Sequence, residues 1–76
     1  MPRIVPVHYS RLIQLFEKVG FKVSRTTGDH VVMVKENHAR PLVIPKWEEV
    51  PVFIIKNNLR SAGISRDEYF FIIKSI

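Results

Sequence analysis

The periodicity of the apolar residues changes at Gly20, and that change decides which class of fold is open to the chain. Before it, Leu12, Leu15, Phe16 and Val19 recur at the spacing of one helix face, while Arg11, Gln14, Glu17 and Lys18 fall on the other. This pattern predicts a first helix over about His8 to Val19, closed by the glycine. Beyond it, Phe21, Val23 and Arg25 alternate with Lys22, Ser24 and Thr26, the period-two pattern of a strand with one buried face. A helix that hands over directly to a half-buried strand implies a mixed, layered domain.

The remaining elements follow from turn and cap chemistry. Thr27-Gly28-Asp29 reads as a tight turn, and His30-Val31-Val32-Met33-Val34-Lys35 is apolar on both faces, as in a central strand. Glu36-Asn37-His38-Ala39 is the next connection. Arg40-Pro41-Leu42-Val43-Ile44-Pro45 forms a third strand, placed at an edge because proline cannot donate to a ladder. Pro51 suits the start of a second helix, whose stripe of Val52, Ile55, Leu59 and Ala62 runs to Gly63. Ser65-Arg66-Asp67-Glu68 has the form of a capping box, which predicts a short third helix that buries Tyr69, Phe70, Ile72, Ile73 and Ile76. The expected fold class is α+β, in the order α-β-β-β-α with a short extra C-terminal helix. Its three-stranded antiparallel sheet carries the helices on one face.

Size and charge bound the function. A chain of 76 residues fits a single domain over 1–76 and leaves no cofactor-sized cleft between domains. There is no cysteine, so burial alone must hold it together. The apolar runs around Val50–Ile55 and Tyr69–Ile73 are far shorter than the about 20 residues of a membrane span. The N-terminal stretch has no leader-like apolar run, which makes the cytoplasm the default location. Twelve Lys and Arg against seven Asp and Glu give a net charge of +5, which favours an anionic partner.

Most marks of catalysis are missing. No carboxylates stand at a helical or strand spacing that would pair them as general acid and base, no acidic cluster suggests a two-magnesium site, no phosphate-cradling glycine loop or nucleophile elbow is present, and His8, His30 and His38 lack the spacing of a metal motif. No cofactor is implied. What remains is Gly28-Asp29-His30 at the mouth of the first hairpin. Glycine permits close approach of a ligand backbone, and an imidazole works in the pH range needed to move a proton on RNA, which supplies its own 2′-hydroxyl nucleophile. From the residues alone, His30 is either such a group or a hydrogen-bonded structural histidine beside a turn.

The pattern of the whole chain resembles the HicA family of bacterial and archaeal toxins, also described as YcfA-like mRNA interferases. The resemblance is carried by Leu12 to Phe21, by Val23 to His30, by Arg40 to Pro45, and by Val50-Pro51 followed by Asn58 to Ser65. It implies a fold like that of a double-stranded RNA-binding domain, metal-independent cleavage of messenger RNA, and a HicB-type antitoxin as partner. It places the catalytic histidine at His30, while the substrate contact expected at Gly28 follows from the freedom of glycine to come close to a ligand backbone. The chain departs from the family pattern where Asp29 stands between Gly28 and His30, and where Val31-Val32 follow. A carboxylate there would attract a protonated imidazole but repel a phosphate, and alternation along a strand would turn adjacent side chains to opposite faces.

Seven cations, Lys22, Arg25, Lys35, Arg40, Lys46, Lys56 and Arg60, are candidates for phosphate contacts. Lys56 and Arg60 share a helix face at i, i+4. Lys22 and Arg25 belong to the first strand. Trp47 is expected to cap the core, with stacking on a base as the alternative. The strand alternation leaves apolar surface uncovered, together with Phe53 or Phe71, for an antitoxin or a second copy of the chain. Two rivals to the nuclease remain open: a non-catalytic RNA-binding module, and an antitoxin-binding interaction domain.

Overall fold

The computed structural model describes residues 3–76. Met1 and Pro2, part of the stretch read for a leader, lie outside the described residues. The elements are α1 (Tyr9–Lys18), β1 (Lys22–Thr26), β2 (His30–Lys35), β3 (His38–Pro45), α2 (Val52–Ala62) and α3 (Arg66–Ile73). The strands form one antiparallel sheet in the order β1-β2-β3. The α+β class and element order match the expectation, and β3 is an edge strand as its prolines require. No helix among the described residues is long and apolar enough to cross a membrane.

Local chemistry fixes the ends of the helices. At the start of α1, Nδ1 of His8 accepts from the Ser10 backbone N–H at 3.1 Å. At the start of α3 the capping box is complete: the Glu68 N–H donates to Ser65 Oγ at 3.1 Å, and the Ser65 N–H donates to Glu68 Oε1 at 3.1 Å. Gly63 ends α2 at a φ of 73°, in the left-handed region.

The helices cover the sheet face that carries Val31, Met33, Leu42 and Ile44, all buried in one core with Leu12, Leu15, Phe16, Phe21, Val50, Ile55, Leu59 and Tyr69. The opposite face keeps Val34 and Val43 exposed, and Phe53 and Phe71 stand off their helices at 65% and 77% exposure. Apolar surface therefore does remain uncovered.

The strands and helices differ from the sequence reading in three places. Every residue of β1 is exposed, so its alternation does not mark a buried face. β1 is an outer strand with an irregularity between Val23 and Arg25, and only Phe21, just before it, reaches the core, where its ring meets Phe16 edge-on at 5.9 Å. The second connection is Glu36-Asn37 alone, because Asn37 adopts a φ of 64° and β3 already begins at His38. In α3 only Tyr69 is fully buried; Phe70, Ile72 and Ile73, and Ile76 beyond the end of the helix, are partly covered, because this helix lies at the outside of the core against α1.

Candidate active site

His30 opens β2, directly after the Thr27–Asp29 turn, and its backbone closes that turn. The Thr27 N–H donates to the His30 carbonyl at 2.9 Å, and the His30 N–H donates to Thr27 Oγ1 at 3.2 Å. The side chains form a second layer of contacts. Nδ1 of His30 lies 3.1 Å from Oδ1 of Asp29, and Thr27 Oγ1 donates to the same carboxylate oxygen at 3.0 Å. Asp29 belongs to the turn and not to the strand, so the alternation that would have separated the two side chains does not apply to them.

This arrangement has chemical content. A carboxylate accepting at Nδ1 holds the ring proton there, which leaves the Nε2 lone pair free to take a proton from elsewhere. The hydrogen bond from Thr27, then the hydrogen bond and charge of His30, hold the Asp29 carboxyl below its ordinary 3.8. The acceptor is therefore ionised throughout the neutral range. The His30 side chain is 36% exposed, so the imidazole is anchored on one edge and reachable from solvent.

The turn is tied to the far end of the sheet. His30 pairs with Pro45 across β2 and β3, the Lys46 N–H donates to the Asp29 carbonyl at 3.0 Å, and Lys46 Nζ donates to the Thr27 carbonyl at 3.1 Å. This register brings one of the seven candidate cations, Lys46, to the His30 turn. Sequence reasoning could name Lys46 only as one among several, because the pairing that places it is non-local.

His30 and Asp29 also line a cleft of about 440 Å³, shared with Val43, Pro45 and Trp47 and, from α2, with Ile54, Asn57 and Asn58. Trp47 is not the buried cap on the core that its sequence position suggests: it is 49% exposed and lines this cleft. Its backbone is fixed by the Tyr9 N–H, which donates to the Trp47 carbonyl at 3.2 Å. Asn58 is a residue that sequence reasoning misses, yet it is buried in the cleft wall. The available signal is its position between Ile55 and Leu59 on the apolar stripe of α2.

The other sequence candidates divide into two groups. Lys22 pairs with Val34 and Arg25 with Val32, which puts both cations on the uncovered side of the sheet, the side to which alternation along β2 also assigns His30. Lys56 and Arg60 are not brought to His30. They border a separate depression of about 260 Å³ with Ile4, Leu59, Ile64 and Arg66. Gly28 is exposed, and a Cβ there would meet nothing within 4 Å. His8 caps α1 and His38 meets the Phe21 ring edge-on, and no three potential metal-ligating side chains are grouped among the described residues.

A family model, described as HicA toxin of bacterial toxin-antitoxin, matches residues 9–64, from the first residue of α1 to the residue after Gly63. No curated protein and no solved structure matches the chain.

Proposed function

Because the chain belongs to the HicA toxin family of bacterial toxin-antitoxin systems, we propose that it is an endoribonuclease that cuts messenger RNA without a metal ion, with His30 moving the proton. Family membership makes it the toxin of such a pair and gives it an antitoxin partner. The observation that carries the chemical part of the reading is the Asp29–His30 pair, which holds a solvent-accessible imidazole by its Nδ1 edge.

In the reaction, His30 Nε2 takes the proton of a ribose 2′-hydroxyl. That oxygen bonds to the adjacent phosphorus as the bond from phosphorus to the 5′-oxygen breaks. The leaving oxygen gains a proton from the imidazolium or from water. The products are a 2′,3′-cyclic phosphate, which can open to a 3′-phosphate, and a 5′-hydroxyl. Lys46 supplies positive charge beside the turn. Gly28 leaves room for the sugar-phosphate backbone, Lys22 and Arg25 contact it along the sheet, and Lys56 and Arg60 hold phosphates further along the strand. The antitoxin covers the site, and the reaction takes place in the cytoplasm.

The test compares the protein with its His30→Ala variant on a defined messenger RNA in excess chelator, with the new RNA ends identified. Cleavage that leaves 5′-hydroxyl ends, and that drops about 10²- to 10⁴-fold in the variant while RNA binding persists, is the expected result. Equal cleavage by both proteins removes His30 from the chemistry. Binding without cleavage by either makes the chain an RNA-binding module.

A further inference from the structure

We infer that the cleft beside His30 receives one unpaired nucleobase of the RNA, stacked on Trp47 and hydrogen-bonded by Asn58. This inference rests on the endoribonuclease reading and names the part of the substrate that enters the site.

Two buried side-chain nitrogens among the described residues have no hydrogen-bond partner, His38 Nε2 and Asn58 Nδ2, and of these Asn58 lies in the wall of the cleft that His30 lines. Asn58 is only 7% exposed. Burying an amide donor unpaired costs stability, and at a position between buried Ile55 and Leu59 an aliphatic side chain would pack without that cost. The terminal torsion of an asparagine is broad, so a small rotation of the amide presents Nδ2 to an acceptor that arrives in the cleft.

The rest of the lining selects the chemical class of that acceptor. Val43, Pro45 and Ile54 are apolar, and the one acidic or basic side chain in the lining apart from the imidazole, among the described residues, is the Asp29 carboxylate. A phosphate inside the cleft would meet that negative charge; a neutral heterocycle would not. A nucleobase offers an apolar face for Trp47 and a polar edge for Asn58, and aromatic stacking accepts any base. Trp47 suits this role because its backbone is pinned by Tyr9 while its indole is half exposed. The cleft, at about 440 Å³, falls within the size range of small-ligand sites. A base seated there brings its ribose to the wall that His30 shares, while the phosphates stay outside with Lys46.

The test uses the full chain carrying His30→Ala, which holds RNA uncut, and short single-stranded oligoribonucleotides of A, C or U beside an abasic oligomer of equal length. Trp47 is the only tryptophan, so its fluorescence reports stacking directly. At fixed salt, the base-bearing oligomers are expected to quench it and the abasic one to bind without quenching. Adding Asn58→Leu should weaken the preferred oligomer by about five- to tenfold, leave the abasic oligomer unchanged and not lower Tm. Should Asn58→Leu fail to fold, Trp47→Leu at its exposed site must weaken the base-bearing oligomers by about 5- to 100-fold. Equal binding of base-bearing and abasic oligomers without quenching, or no effect of either substitution, overturns the inference and leaves the cleft to a side chain of a protein partner. Quenching and base preference in a protein whose parent cuts no RNA would instead uphold the base site and sink the nuclease reading.

Discussion

The Asp29 carboxylate and the His30 ring are consecutive in the chain and paired in space, with Oδ1 3.1 Å from Nδ1. The amide introduced by Asp29→Asn could donate to Nδ1 and so shift the ring proton to Nε2, the nitrogen that must accept one. This substitution is therefore expected to lower single-turnover cleavage by about 10²- to 10⁴-fold, while RNA affinity holds or rises because a negative charge has gone. Unimpaired cleavage by the variant would detach the carboxylate from the chemistry.

Thr27 has its own measurable effect on that pair. Its hydroxyl is the first cause of the lowered Asp29 pKa, ahead of the His30 hydrogen bond and charge. A carboxyl whose folded pKa is depressed contributes stability above its unfolded value, and that contribution is lost as pH falls through the folded value. In a carboxyl-carbon NMR titration, Asp29 should have its midpoint below the ordinary 3.8, and Thr27→Val should move it upward. An unchanged midpoint in the variant would mean that the Thr27 bond does not form in solution.

Tyr69 sets the opposite pH limit. Burial pushes its hydroxyl above the ordinary 10.0, partly opposed by the positive charge of Arg11. The folded state then keeps this proton longer than the unfolded chain does. The stability it confers is complete below the unfolded value and is lost as pH rises through the folded one. Thermal melts between about pH 9 and pH 11 should show a falling Tm, with a shallower fall in Tyr69→Phe. Parallel curves would contradict the burial of this hydroxyl.

Two glycines should separate fold from function. Gly63 sits at a φ of 73°, so Gly63→Ala is expected to cost about 1 kcal/mol of stability. Gly28 lies outside the left-handed region, with open space where a Cβ would go. Gly28→Ala should leave stability unchanged or raise it by up to about 1 kcal/mol, and weaken RNA cleavage because a methyl group now stands where the backbone approaches. Urea unfolding beside cleavage rates distinguishes the two, and a loss of stability in Gly28→Ala would return that glycine to a structural role.

The order of elements was legible because it is written in local signals: the change of period at Gly20, the capping box of Ser65 and Glu68, and the prolines of β3. The burial of β1 was not, since alternation alone does not say whether a helix lies over the strand. The site divides along the same line. Gly28-Asp29-His30 could be seen as a candidate from its turn chemistry, whereas Lys46 reaches that turn only through the His30 to Pro45 register. Asn58 was hidden by its polarity, as a search for apolar stripes passes over a polar residue standing inside one. Trp47 was misplaced because an aromatic side chain in a loop is counted toward the core until its surroundings are known.

The exposure of β1 bears on how the molecule moves. A strand with five exposed residues, an irregular ladder and a free outer edge can unzip from β2 without opening the core. The His30 turn is secured on its other side by Lys46 and the end of β3. Amide protons of β1 should therefore exchange with solvent sooner than those of β2 at its pairing with β3. The hairpin can breathe along one arm and widen the approach to the sheet for a long polymer, while the end that carries the imidazole stays in place.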